Sequence, residues 1–106
     1  MANPARGEVA ITVDGVERRM RLTLGALAEL EAKLQAGSLM ALAEKFEEGR
    51  VATAELLALL SAGMKGAGEP VSEADLATAD IQGGAVGAMR AGVTLLARTF
   101  RPDEAA

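Results

Sequence analysis

Apolar and polar positions alternate between residues 7 and 22. Val9, Ile11 and Val13 are separated by Ala10 and Thr12, and Val16, Arg18, Met20 and Leu22 by Glu17, Arg19 and Arg21. A period of two marks half-buried strands. Asp14-Gly15 lies between the two runs, a pair suited to a two-residue turn with positive φ. The pattern predicts a β-hairpin in which Val13 faces Val16 and Val9 faces Met20. Glu8 is then expected opposite Arg21, as a cross-strand charge pair. Arg18 falls on the apolar face opposite Ile11, a position for a side chain that packs its stem at an edge and keeps its head in water.

From Thr23 the period becomes helical. Thr23 is a candidate N-cap, followed by Leu24, Leu27, Leu30 or Glu31, and Leu34, with Glu29 and Lys33 in the favourable i,i+4 order. Gly37 is the expected end of that helix and Ser38 the N-cap of the next. Leu39, Leu42, Ala43 and Phe46 then form an amphipathic face, closed by Gly49. A third helix is predicted from Thr53, with Glu55 near its positive end. Leu56, Leu57, Leu59 and Leu60 crowd most of its circumference, so it needs cover on more than one side. The run Gly63 to Pro70 is expected to be a flexible connection. Ser72-Glu73-Ala74-Asp75 resembles a capping box and opens a short helix to about Ala79. The last element is expected over Ile81 to Thr99. Its stripe is Val86, Met89, Val93 and Leu96, extended by Phe100, with a second stripe of small residues at Gly84, Ala88 and Gly92. Gly83, Gly84 and Gly87 weaken the start of that helix. The fold class is α+β: an N-terminal two-stranded antiparallel β-hairpin followed by a bundle of four to five α-helices. Residues 1–106 are expected to form a single domain, with 7–22 the hairpin, 23–100 the helical part, and 1–6 and 101–106 disordered.

Composition thins the core and narrows the chemistry. The 106 residues include 23 Ala but only 30 larger apolar side chains, two of them aromatic. Ala adds helix propensity and little buried area. The chain has no Cys, His, Trp or Tyr. Disulfides, thiolate nucleophiles, Ser-His-Asp arrangements and zinc sites of the Cys or His type are therefore excluded. Stacking platforms for single-stranded bases are missing too. The net charge of −4 repels a phosphate backbone. No nucleic-acid partner is expected.

The N-terminus lacks the apolar core of a signal peptide. No stretch reaches the roughly 18 apolar residues of a membrane span. A cytoplasmic protein with no membrane partner is the expectation. The glycine clusters at 63–68 and 83–87 lack the order and the preceding strand of a phosphate loop. Glu44, Glu47 and Glu48 read as a solvated face beside Lys45 and Arg50. No enzyme, catalytic residue, metal or cofactor is expected. Two features admit a functional reading: the cluster Leu56, Leu57, Leu59 and Leu60, and the stripe Met89, Val93, Leu96 and Phe100. Each is either core or a surface that docks a partner or a second copy of the chain.

The order of elements and two particular stretches are similar to a known family. Met20 to Glu31, with Arg21-Leu22-Thr23-Leu24-Gly25-Ala26-Leu27 at its centre, and Val71-Ser72-Glu73-Ala74-Asp75-Leu76 resemble the gene transfer agent family of small phage-tail proteins. That family is usually grouped with the tail assembly chaperones of long-tailed phages. The resemblance covers roughly residues 7–100. It implies a non-enzymatic role in tail morphogenesis: coating the tape-measure protein until tube subunits assemble around it. The alternative it leaves is a structural subunit retained in the tail, as a tube or ring component, located in the phage-like particle. Tape-measure or other tail proteins are the implied partners, with a homo-oligomer as a further possibility.

An isolated hairpin is marginal in water. Val9, Ile11, Val13, Val16, Met20 and Leu22 are therefore expected to bury against Leu27, Leu30 or Leu34. Replacing Ile11 with Asp is expected to unfold or aggregate the protein, and unchanged thermal melting would remove the hairpin assignment.

Overall fold

The computed structural model describes residues 2–3, 6–34 and 38–100. Strands β1 (Val9–Val13) and β2 (Val16–Met20) form an antiparallel two-stranded sheet. Five helices follow: α1 (Leu24–Lys33), α2 (Leu39–Glu47), α3 (Thr53–Gly66), α4 (Glu73–Thr78) and α5 (Gly84–Phe100). The architecture is α+β, as the alternation and the helical periods require. The buried residues form one cluster, with α3 at its centre: it packs on β2, α1, α4 and α5.

The hairpin register is the one the sequence pattern dictates: Val9 opposite Met20, Ile11 opposite Arg18, Val13 opposite Val16. Asp14 and Gly15 both have positive φ, 51° and 79°, which is the type I′ turn that matches strand twist. A two-residue turn of this kind makes Val13, Ile11 and Val9 exchange bonds with β2, so the backbone groups of Glu8, Thr12, Asp14 and Arg21 point outward. At least one group of each residue is taken up within the chain. Thr12 C=O accepts from Gln82 N–H (3.0 Å), Asp14 N–H donates to Asp80 C=O (2.8 Å), and Arg21 N–H donates to Gly63 C=O (2.8 Å). Glu8 N–H donates to Asn3 C=O (3.1 Å), and Glu8 C=O accepts from Arg98 (2.7 Å). The ladder ends at the Val9–Met20 pair, and Glu8 pairs with Arg6 (3.9 Å) rather than with Arg21. Its carboxylate is buried and accepts the Asn3 N–H (2.8 Å).

Two burial patterns and one helix boundary are corrected. Val16 is 51% exposed, because at the turn end of the hairpin it lies beyond the helices. Leu24 is 86% exposed. Helix α1 buries Ala26 and Leu30, with Leu27 and Leu34 alongside, and at about 100° per residue Leu24 points away from that face. Ile81 is not helical; it bridges to Val13, and α5 begins at Gly84. Despite its glycines α5 is then continuous to Phe100.

The helix starts agree with the sequence. Thr23, Ser38 and Ser72 hydroxyls each accept the N–H three residues on, at 3.1 Å. Each such cap is worth about 1 kcal/mol. Ala52 precedes α3 without a side-chain acceptor, and there the Glu55 carboxylate reaches back to the Ala52 N–H (2.9 Å). Gly49 follows α2 with φ +69°, as expected of a terminating glycine. The proposed stop at Gly37 lies outside the described residues.

Helix α3 does not fray at Gly63; it continues to Gly66. The two glycines are contact points. A Cβ at Gly63 would lie 2.9 Å from the Leu95 side chain and 3.0 Å from Met20 Cβ. One at Gly66 would lie 2.0 Å from the Arg21 carbonyl oxygen. The absent side chains let α3 touch the end of β2.

Gly66→Ala pushes a methyl onto backbone that cannot swing aside. It is expected to cost about 1–3 kcal/mol in urea unfolding, the range of overpacked sites. Gly25→Ala in α1 meets nothing closer than the Thr23 hydroxyl at 3.9 Å and is expected to be neutral or stabilising by up to about 1 kcal/mol. Equal destabilisation by both would contradict the close-approach reading.

Candidate functional site

Helix α5 carries two apolar faces. Ala88, Gly92, Leu95 and Leu96 are buried in the core. This is the small-residue stripe, one step broader. A Cβ at Gly92 would meet Phe46 at 2.9 Å, and Leu56 and Leu59 at 3.3 Å, so the glycine admits side chains of α2 and α3 rather than another backbone. The second face, about a quarter turn away, holds Val86, Met89, Val93 and Phe100. Val86 is 67% and Phe100 37% exposed. Met89 and Val93 are half-buried against the core.

The outer face of α5 meets α2 along a groove of ≈ 380 Å³, lined by Met40, Ala43, Phe46, Glu47, Val93, Leu96, Ala97 and Phe100. Met40, 61% exposed, stands at its rim. The amphipathic face of α2 explains the geometry. Leu42 and Phe46 are buried, which leaves Met40, Ala43 and Glu47, at i, i+3 and i+7, along the neighbouring edge of that helix.

A second apolar groove of ≈ 340 Å³ lies between α3, α4 and the start of α5, with Leu56, Leu57 and Leu60 among its lining residues, beside Leu76 and Ile81. The residues singled out from sequence are therefore divided. Val93, Leu96 and Phe100 share the α2–α5 groove. Leu56, Leu57 and Leu60 border the second. Leu59 is fully buried, and Leu60 and Leu96 are 1% and 4% exposed, so these three are core residues that at most floor a groove. Met40, Ala43 and Ala97 were not singled out. The i, i+3 spacing of Met40 and Ala43 beside the Leu42–Phe46 face was the available signal.

The charges around the α2–α5 groove are distributed unevenly. Glu47 is the charged residue among its lining, and Glu44 is exposed one turn earlier. Four cations of the described residues on or near α2 and α5 have the following places. Lys45 pairs with Glu55 (3.0 Å). Arg50 pairs with Glu48. Arg98 is held by the Glu8 carbonyl. Arg90 lines a different cleft, shared with Ala10 and Thr12 of β1. The Ala52 N–H, and after it Lys45, hold the Glu55 carboxyl below the usual carboxylate range. Glu69 is lowered in the same sense by the Arg19 guanidinium, against which it packs at 2.8 Å beside β2.

Among the described residues no group of three or more His, Cys, Asp or Glu converges to hold a metal ion. No helix of the described residues is long and apolar enough to cross a membrane. What the surface offers is apolar, concave and helix-walled, the form of site that takes an amphipathic helix.

A family model described as phage tail tube protein, GTA-gp10, matches residues 6–102. No curated protein and no solved structure matches the chain.

The division between core and surface is measurable. Leu59→Ala is expected to cost about 2–5 kcal/mol in denaturant unfolding. Val86→Ser and Met40→Ser are expected to stay within about 0.5 kcal/mol of the parent. A large loss at Val86 or Met40 would mean that the outer stripe is core.

Proposed function

The chain belongs to the family described as phage tail tube protein, GTA-gp10, and on that premise we propose that it is a non-enzymatic morphogenesis protein that masks an apolar helical stretch of the tape-measure protein. The observation that carries this reading is the α2–α5 groove, with Met40 and Phe100 exposed at its rim. A tape measure is a long, largely helical chain with apolar stripes. Laying one stripe in the groove removes apolar surface from water on both sides. The net charge of −4 keeps the loaded complex soluble. Holding of this kind takes place in the cytoplasm, before the tube closes.

The runner-up is a subunit retained in the tail as a tube or ring component. The family's description, a tail tube protein, favours it. Strand addition is hindered along part of the hairpin edges. Outward hydrogen-bonding groups of Glu8, Thr12, Asp14 and Arg21 are already occupied, and Glu69 lies against Arg19 at the β2 edge. Helix-to-groove contacts remain open to either role.

Co-expression with the tape-measure protein of the same particle is expected to give a co-purifying complex. Met40→Glu with Phe100→Glu is expected to abolish it at unchanged melting temperature. A tape measure that is soluble alone and forms no complex would overturn the reading. In mass spectrometry of purified particles a chaperone is absent or substoichiometric. Fixed multiples of the ring symmetry would establish the retained subunit instead.

A further inference from the structure

The outer strip of α5 is symmetric about its middle. Counted from Val93, Val86 and Phe100 stand seven residues to either side, and Met89 and Ala97 four. Seven residues are close to two helical turns and four to one, so all five fall on one face, within about 40° of Val93. Val86 and Phe100 are exposed, and Met89, Val93 and Ala97 are half-buried. The buried side of the helix is a different one, made by Ala88, Gly92, Leu95 and Leu96. Each pair about the centre joins a larger side chain to a smaller one, Phe100 with Val86 and Met89 with Ala97.

We propose that this strip is the contact face of a weak antiparallel dimer, in which α5 of a second copy lies along it with the two-fold axis at Val93. A two-fold axis there sets each residue before Val93 opposite the residue equally far beyond it in the second copy. Phe100 then packs on Val86 of the second copy and Met89 on its Ala97, each contact made twice, while Val93 meets Val93. Larger against smaller at each level is how facing helices interdigitate. A parallel pair would instead set Phe100 on Phe100 and Met89 on Met89, between thin levels of Val86 and Ala97. Charge selects the same direction. Arg90 is exposed at the border of the strip. The antiparallel pair places it beside Ala97 of the second copy and staggers the two Arg90 by about 9 Å along the axis, whereas a parallel pair sets them level. Size sets the strength. The strip is about 21 Å long and, at the spacing of packed helices, about 10 Å wide, far smaller than the roughly 800 Å² per partner of a stable complex. A dissociation constant on the order of 0.1–1 mM is therefore expected. Val93 and Phe100 also wall the α2–α5 groove, so the dimer covers that surface when no other helix fills it.

The test uses the protein alone, so its outcome is independent of the tape-measure reading. The chain has no Cys, and single cysteines therefore report the geometry without background. Val93→Cys, oxidised near the expected dissociation constant, is expected to give a disulfide-linked dimer, since the two-fold axis brings its two Cα atoms within the roughly 7 Å that a disulfide spans. Val86→Cys alone and Phe100→Cys alone are expected to cross-link at least about tenfold more slowly, because each lies about 21 Å along the axis from its own counterpart. A mixture of these two variants is expected to give the mixed disulfide, identified by mass. Sedimentation equilibrium of the parent protein is expected to show a monomer–dimer balance that moves towards dimer as salt is added. Salt screens the repulsion between two chains that each carry a net charge of −4. Val86→Glu, an exposed change expected to leave melting intact, should weaken the dimer at least about tenfold, since the contact is lost twice. A parent protein that stays monomeric through the millimolar range would overturn the proposal, whatever the variants do. Self-cross-linking of Val86→Cys and Phe100→Cys as fast as their mixture would overturn the antiparallel pairing. A dimer unaffected by Val86→Glu would place the contact on another face and overturn it as well.

Discussion

The structure depends on close approach more than on large side chains. With 23 Ala and two Phe in 106 residues, this chain cannot fill wide gaps between its elements. It closes them instead. Gly63 and Gly66 let α3 lie against Met20 and the Arg21 carbonyl, and Gly92 receives the Phe46 ring and two leucines. At these distances the moderate side chains Met20, Leu59, Met64 and Leu95 are fully buried. The hydrogen bond from Arg21 N–H to Gly63 C=O fixes the same contact from the backbone side. A hairpin too small to be stable alone is in this way joined to the central helix.

That economy has a consequence for the surface. Helix α5 turns its smallest residues, Ala88 and Gly92, inward with Leu95 and Leu96. Its bulkier stripe is left at the flank, where Val86 and Phe100 remain exposed and Val93 and Leu96 wall a groove with α2. This contiguous apolar strip is the feature on which the proposed helix capture rests. Membership of a phage-tail family supplies the setting, and the helical walls supply the class of contact.

Much of the fold was legible in the sequence. The hairpin register, the three Ser/Thr caps and the Leu42–Phe46 face followed from short-range rules, because turn chemistry and capping are decided by neighbours in the chain. The errors share one cause. Val16 and Leu24 fit their periods, yet no element lies over them. Gly63 and Gly66 read as a loop because glycine disfavours helices, whereas tertiary contact with β2 reverses that preference. The choice of which stripe of α5 faces inward was also tertiary. Periodicity located both stripes and could not rank them, since the close packing at Gly92 depends on Phe46, nearly half the chain away. For the same reason the Val93, Leu96 and Phe100 side of the groove was visible from sequence, and the Met40 and Ala43 side was not.

The proposed role turns on the capture of a helix between α2 and α5. Methyl-resolved NMR of the protein titrated with the tape-measure protein tests it most directly. On capture in the groove, the signals of Met40, Ala43, Val93 and Ala97 are expected to shift together and saturate, while those of Val9 and Val13 in the hairpin stay in place. Shifts confined to the hairpin, with the groove methyls unmoved at saturation, would contradict it.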